Sequence, residues 1–402
     1  MPVDVRPIDG RSALQRFITL PFHLADQRPN RVPPLLMDER EFHDPQKNPQ
    51  LAHCEVERWI AWRDGRAVGR IMGIIHRSYN AAHGERTARF YNLDAVRDPE
   101  VVHSLIGAVE AWARSKGMDR VIGPFGFSDK DPQGLQIEGF EHLPVIATPT
   151  NPDWLPAFVE ACGYGKFEDM VSYRMDIPTK LPTVYQAIAE RCLRNHGLHR
   201  VTLHTKRELK PWVVPVLRLV NATYGDLLGF SPMSEAEMRA LAAKYMFILD
   251  PQLVHLIADA SNEPAAFVIA SPDMSEGFVR ANGKLLPFGW WHILRAMKHA
   301  KQMDLLLGAV RPDLQGKGLT AALGIPLFEA ARQRGFTHLD SHLIMERNTR
   351  MRGELERLGA VVWKRYRVYQ KPIGRSDDQI MLSAKLSARI RVCTRSSDHL
   401  IY

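Results

Sequence analysis

Apolar positions along the chain follow two periods in alternation. From Val101 to Ser115 they recur at three and four residues (Val102, Leu105, Ile106, Val109, Trp112), which predicts an amphipathic helix. Arg58–Trp62 and Val68–His76 flank Arg63-Asp64-Gly65-Arg66, which predicts a β-hairpin. Phe90–Ala95, Arg120–Gly123 and Met170–Met175 predict further strands. The second part of the chain runs in a similar order. It predicts strand His199–His204, helices Trp212–Leu228 and Ser234–Ile248, and a hairpin from Leu253–Asp259 and Pro264–Ala270. Strand Met303–Val310, helix Leu319–Arg334 and strand His338–Ile344 follow.

The similarity is a repeat. Asn151…Gly163 and Asn348…Gly359 each predict a helix with an Asn N-cap and a Gly just past its end. Ten residues after each Gly stands a Tyr in a strand-like segment, Tyr173 and Tyr369, so the offset is 196 residues. Upstream, Ala113–Gly117 matches Ala331–Gly335 at an offset of 218. The first copy therefore carries about 22 extra residues. They fit Gly123–Pro144, a Gly- and Pro-rich stretch that reads as a loop. Asp176–Pro182 reads as a linker. The expected division is 1–176, 183–373 and a Ser/Arg/Asp-rich tail, 374–402.

The fold class expected is α/β (α+β), two tandem domains, each a mixed, mostly antiparallel sheet flanked by helices. The 402 residues leave ample core for that. Lys+Arg 53 against Asp+Glu 45 gives +8, which suits anionic small ligands, an anionic membrane surface or RNA without choosing among them. The four cysteines have no CxxC spacing and no zinc-type cluster, so no metal is expected. The N-terminus lacks an apolar signal segment, and no apolar stretch approaches the ~20 residues that cross a bilayer. The expectation is a cytoplasmic protein, at most peripheral to the membrane.

The sharpest chemistry lies in Val310-Arg-Pro-Asp-Leu-Gln-Gly-Lys-Gly-Leu-Thr320. A strand enters a glycine turn that opens a long helix. Such a turn lets backbone amides approach a phosphate, and the helix dipole adds roughly half a positive charge. It is neither a Walker loop nor GxGxxG. The string resembles the acyl-CoA signature of the GNAT acyltransferases, [RQ]-x-x-G-x-[GA], preceded by V-x-P. Gln315, Gly318 and Thr320 stand at its defined positions, with Thr320 departing from Gly/Ala. The resemblance implies a GNAT domain over Arg200 to about Pro372. It implies that Ala309, Val310, Gln315, Gly316, Lys317, Gly318, Leu319 and Thr320 bind acyl-CoA as co-substrate, with Asn348 near the pantetheine. The first copy matches the fold over about 5–176 but has Asp94–Glu100, without glycine, where the loop should be. It is expected not to bind CoA.

A closer resemblance exists to bacterial tandem GNAT proteins associated with sphingolipid-making bacteria and with bacterial ceramide synthases. It rests on Phe22-His-Leu, Val32-Pro-Pro-Leu35, Asp44-Pro-Gln-Lys-Asn-Pro49, Asp64–Arg70 and Gly123–Pro144. It implies a long-chain acyl donor and an amphipathic amine acceptor, with no nucleic acid.

The family needs a backbone amide near Leu307–Val310 to hold the thioester oxygen, a base, and a proton source for the thiolate. The family's usual acid, a Tyr seven residues past the Asn, is Leu355 here. His342, Glu346, Tyr224 and Asp226 are the candidates in its place. Each also suits a structural role. Met274–Gln302, rich in Phe, Trp and Leu, is expected as a packed helix, an apolar wall for a long chain, or a membrane-touching element. Acetylation of a small amine or protein, aminoacyl-tRNA-dependent transfer and non-catalytic CoA or lipid binding are the other readings. Oligomeric state is not in the sequence.

Overall fold

The structure is a computed structural model and describes residues 2–24, 30–225 and 227–374. The expected tail 374–402 thus lies outside the described residues apart from Gly374.

Fourteen strands form one sheet. The first seven are β1 (Asp4–Pro7), β2 (Cys54–Arg63), β3 (Arg66–His76), β4 (Thr87–Ala95), β5 (Arg120–Gly123), β6 (Leu135–Glu138) and β7 (Gly165–Asp176). The second seven are β8 (His199–Val201), β9 (Val254–Ala258), β10 (Pro264–Pro272), β11 (Gln302–Val310), β12 (His338–Ser341), β13 (Ile344–Met345) and β14 (Val361–Pro372). The path across the sheet is β1-β2-β3-β4-β5-β14-β7-β12-β11-β10-β9-β8. Most neighbours are antiparallel. The exceptions are β4 with β5 and β11 with β12, which run parallel. That is the mixed, mostly antiparallel architecture the repeat predicted, with helices on both faces.

At the centre the two halves exchange their last strands. β14 pairs with β5 of the first half and β7 pairs with β12 of the second. The two then pair antiparallel with each other, from Val361↔Arg174 to Gln370↔Gly165. The matched tyrosines show the exchange at atomic detail. Tyr173 and Tyr369 are fully buried. The Tyr369 hydroxyl donates to Glu160 on the Leu155–Ala161 helix, and the Tyr173 hydroxyl donates to Glu356 on the Thr349–Arg357 helix. Glu160 and Glu356 are themselves 196 residues apart. Each tyrosine therefore docks on the helix of the opposite half. A division into 1–176 and 183–373 has to accommodate this, because each half's sheet is completed by a strand from the other.

We expect removal of β14 by truncation after Ala360 to unfold both halves together. Near-ultraviolet circular dichroism should lose its signal in one step, and a surviving folded N-terminal half would contradict the exchange.

Helix ends follow local rules where they are legible. Asn348 caps Thr349–Arg357 by accepting from the Met351 amide, and Gly163 (φ +86°) and Gly359 (φ +88°) are left-handed just past their helices. Asn151 departs from its expectation. It does not cap a helix, which begins only at Leu155. Its buried amide instead accepts from the Gln136 N–H and donates to the Gln136 carbonyl. That clamps β6 against β14, so Gly123–Pro144 is not only a loop: its middle is a strand. The helix expected over Trp212–Leu228 also stops early. It spans Val213–Thr223, and Tyr224 stands past its end. Strand His338–Ile344 breaks into β12 and β13: pairing with β11 ends at Ser341, and both pieces run along β7 with an interruption between Asp340 and Ile344.

Candidate active site

The phosphate loop has the geometry its glycines require. Gly316 (φ +76°) and Gly318 (φ +98°) are left-handed, and the Leu319–Gln333 helix starts directly after them. The amides of Gly316, Gly318, Leu319 and Thr320 have no acceptor among the described residues. Four unpaired donors at a helix N-terminus form an anion cradle. Lys317 is exposed beside them. The loop is braced from both sides. Gln315 donates to the Val310 carbonyl and accepts from Arg350 on the Thr349–Arg357 helix, while Arg311 pairs with Asp259 and Asp313. Leu314, Leu319 and Ala322 anchor it in a core with Ala189 and Cys192.

Next to the loop the sheet opens. β11 and β12 are paired through Leu305↔Ser341 and no further. The His342 amide still donates to the Leu305 carbonyl (2.9 Å), and beyond it the strands separate. β11 keeps its pairing to β10 on the other side, with the Arg311 amide bonded to Ala265. Strand alternation then turns the amides and carbonyls of Gly308 and Val310 toward the gap, and those of Ala309 toward β10. Both gap-facing carbonyls are already used, by Tyr224 Oη (2.8 Å to Gly308) and by Gln315 Nε2 (3.2 Å to Val310). What remains free on this edge are the N–H groups of Gly308 and Val310, the donors an acyl oxygen needs.

In the first half the bond equivalent to His342–Leu305 runs from the Phe125 amide to the Phe90 carbonyl, and the buried Arg89 guanidinium ties down the Gly126 and Phe127 carbonyls of the segment that follows. The equivalent helix N-terminus is filled as well. Asp98 accepts from the Glu100 amide, and Asp98 and Glu100 both pair with Arg63. Carboxylates occupy the place a phosphate would take.

Of the candidate groups, two adjoin the open edge. His342 is half-buried, and its ring has no hydrogen-bond partner among the described residues. Burial, and then the nearby Lys364 charge, lower its pKa to about 4, so it is neutral and able to accept a proton at ordinary pH. Burial pushes the Tyr224 hydroxyl up to about 12, so it keeps its proton. Leu305 and Gly308, the residues they bond to, are three apart, about 10 Å along the strand. Glu346 is employed elsewhere. It pairs with Lys166 and with Arg365 (2.8 Å), and the Lys166 contact holds its carboxyl below the usual range. Asp226 lies outside the described residues. Asn348 caps its helix with its side-chain oxygen, which leaves its amide nitrogen for a ligand.

No protein-family profile matches the chain. Over 377 residues it is 31% identical to Protein YghO of Escherichia coli (strain K12), covering 92% of this chain and 95% of that one. Over 378 residues it is 30% identical to a bacterial ceramide synthase of Caulobacter vibrioides (strain NA1000 / CB15N), covering 92% and 98%. The fold aligns with a tandem GNAT protein from the clavulanic acid biosynthesis pathway at TM-score 0.52 and 14% identity, over 93% of this chain and 99% of that one. The chain belongs to the tandem GNAT proteins. Its reaction class is N-acyl transfer.

In this tandem GNAT chain the family's usual acid position is core: Leu355 is 5% exposed and packs with Ile344 and Met351. The one tyrosine hydroxyl bonded to that helix, among the described residues, comes from the exchanged strand. Tyr173 donates to Glu356 and accepts from Arg352 Nε (2.9 Å). The sequence gave no sign of it, because Tyr173 is 182 residues from Leu355. The Met274–Gln302 segment forms two helices, Ser275–Ala281 and Gly289–His299. Phe278, Leu285 and Met297 pack on a small core of Ile248, Met274 and Ile293, while Leu286, Phe288, Trp290, Trp291 and Leu294 are exposed. No helix among the described residues is long and apolar enough to cross a membrane.

Proposed function

We propose that the chain moves a long-chain acyl group from acyl-CoA to the primary amine of an amphipathic acceptor of the sphingoid-base type. The carrying observation is the juxtaposition, in the second half alone, of four unpaired loop amides and a free strand edge. The 30% identity to a bacterial ceramide synthase supports the lipid acceptor. In this reading 183–373 is the acyl-CoA unit and 1–176 shapes the acceptor side.

The CoA pyrophosphate sits on the amides of Gly316–Thr320, near Lys317, and the pantetheine runs along the edge of Gly308 and Val310 toward Asn348 Nδ2. The acceptor nitrogen attacks the thioester carbon, the N–C bond forms and the C–S bond breaks. Oxygen charge that develops meanwhile is held by the Gly308 or Val310 N–H. The amine proton passes to the neutral His342 ring. The departing thiolate takes the Tyr224 proton, which solvent restores.

The test is calorimetric titration with CoA, acetyl-CoA and palmitoyl-CoA, followed by mass spectrometry of a palmitoyl-CoA and sphinganine mixture. Tighter binding of palmitoyl-CoA and an N-palmitoyl product are expected. Preference for acetyl-CoA would move the acceptor to a small amine or a protein. Binding of none would favour a tRNA-dependent or non-catalytic role.

His342→Gln should lower kcat by about 10²–10⁴-fold and leave palmitoyl-CoA affinity within about threefold. The pH profile carries a sign. A histidine of pKa about 4 stays neutral well below its ordinary 6.5, so its acid limb in kcat should lie near pH 4. The unfolded chain takes up this proton below about pH 6.5 and the folded chain refuses it until about 4. Stability should therefore fall with acidification across that window, less steeply in His342→Gln. A kcat limb at 6.5 that survives the substitution would remove His342 from the reaction.

A further inference from the structure

Of the eleven large apolar side chains exposed among the described residues, five fall between Leu286 and Leu294. Leu286 and Phe288 are 74% and 68% exposed, and Trp290, Trp291 and Leu294 are 46–50% exposed. Isolated exposed leucines need no explanation, but a cluster with two tryptophans does. The helix pair is built to present them. Gly277 lies against the backbone of Ile293, where a Cβ would come within 2.5 Å of its Cα, and a Cβ on Gly289 would stand 1.9 Å from the Lys284 carbonyl oxygen. These glycines let the two short helices meet through Ile293, whose side chain is buried. At 100° per residue Trp290, Leu294 and Trp291 then fall on one outward side of the helix, roughly 60–160° from Ile293, with Lys298 among them and Arg295 beside Trp291. The Arg295 guanidinium lies 5.5 Å from the Trp291 ring.

Charge selects the occupant. Between Glu276 and Asp304 the sequence holds Arg280, Lys284, Arg295, Lys298 and Lys301 and no carboxylate at all. None of Lys284, Arg295, Lys298 and Lys301 has an ion-pair partner among the described residues, and each is exposed. Aromatic and aliphatic side chains ringed by unpaired cations match an interface of apolar depth beneath an anionic surface.

We propose that the outward face of Gly289–His299, with Leu286 and Phe288 ahead of it, docks on the surface of an anionic lipid bilayer. Trp290 and Trp291 sit at headgroup depth, Leu286, Phe288 and Leu294 enter the acyl boundary, and Lys284, Arg295 and Lys298 meet lipid phosphates. This helix runs into the start of β11, and the phosphate loop follows β11, whose nine residues span roughly 30 Å.

The test uses the full chain without acyl-CoA or acceptor, so its outcome is separate from that of the proposed reaction. Sedimentation with vesicles of phosphatidylcholine, with and without phosphatidylglycerol, reads the partition, and tryptophan emission reads the depth. Binding that needs phosphatidylglycerol, weakens with salt and shifts the emission to the blue is expected. Phe288→Ser with Trp290→Ser should weaken it by about tenfold or more. Arg295→Glu with Lys298→Glu should do the same for the anionic vesicles. Melting temperature and circular dichroism check that both variants are folded. No binding of the parent chain at low salt overturns the proposal, as does unchanged binding by both variants. Conversion of a dimer to a monomer by the serine changes, with vesicle binding unaltered, assigns the face to a second copy instead and also overturns it.

Discussion

Gly318→Val is expected to weaken palmitoyl-CoA binding by at least about 100-fold, roughly 3 kcal/mol, in calorimetry on the folded variant. Two effects combine. At φ +98° any side chain strains the backbone by about 1–2 kcal/mol. A Cβ there would also stand 2.6 Å from Ile188 Cγ2, on the helix Thr183–Asn195. Ile188 is β-branched and cannot step aside at little cost. The loop must move instead, and the amides of Gly316, Leu319 and Thr320 lose their common aim. Each charge-assisted bond to phosphate lost costs about 1.5–3 kcal/mol. Gly316→Ala is the control. Its φ of +76° is as strained, but its Cβ would meet nothing within 4 Å. It should lose no more than about tenfold. Equal losses in both variants would mean that strain alone, and not the position of the amides, governs binding.

The second large effect concerns stability. Lys364→Met should destabilise the chain by about 3–5 kcal/mol in chemical denaturation. Lys364 and Asp340 form an ion pair with side chains 1% and 0% exposed. The ammonium also donates to the Leu143 carbonyl (2.9 Å), and Asp340 accepts from Ser172 and from Trp363 Nε1 (3.1 Å). Burial pushes the Asp340 carboxyl up and Lys364 draws it back. Across the strand pair Asp304 is buried too, one of its oxygens has no partner, and burial raises it far above the carboxylate range. Removing Lys364 leaves the Asp340 charge alone in the interior. Lys364→Met with Asp340→Leu should recover most of the loss, since a buried pair gains little over an apolar replacement. A loss below about 1 kcal/mol in the single variant would show that water reaches the pair.

Those two residues also show where the sequence becomes silent. In Trp363-Lys-Arg-Tyr-Arg367 the lysine looks like one of three solvated cations. It is buried because β14 lies between β5 and β7, beneath Leu143 of the first half's insertion. The hairpins, the repeat and the turn at Gly316–Gly318 were legible because each is a local matter of period, capping or φ. Asn348 obeyed the capping rule, while Asn151, in the same sequence position of the repeat, was drawn off by Gln136. The helix Trp212–Leu228 was overextended because Tyr224 is a fair helix former until its hydroxyl finds the Gly308 carbonyl. His342 was one of four candidates in the sequence, yet only the parting of β11 and β12 gives it an open edge to act on.

By itself, then, the amino-acid order determined two copies of one α/β pattern and confined the phosphate loop to the second. Both are written in short-range periodicity and in glycines that no other residue replaces cheaply. Tertiary structure decided the partners. β7 and β14 carry the same pattern, with tyrosines at matched positions, so periodicity cannot say on which half's helix each will dock. Only the full sheet, in which each strand buries its tyrosine on the opposite half, makes that choice. The same fold ties down the segment after β5 with Arg89 and leaves the edge of β11 open beside the phosphate loop.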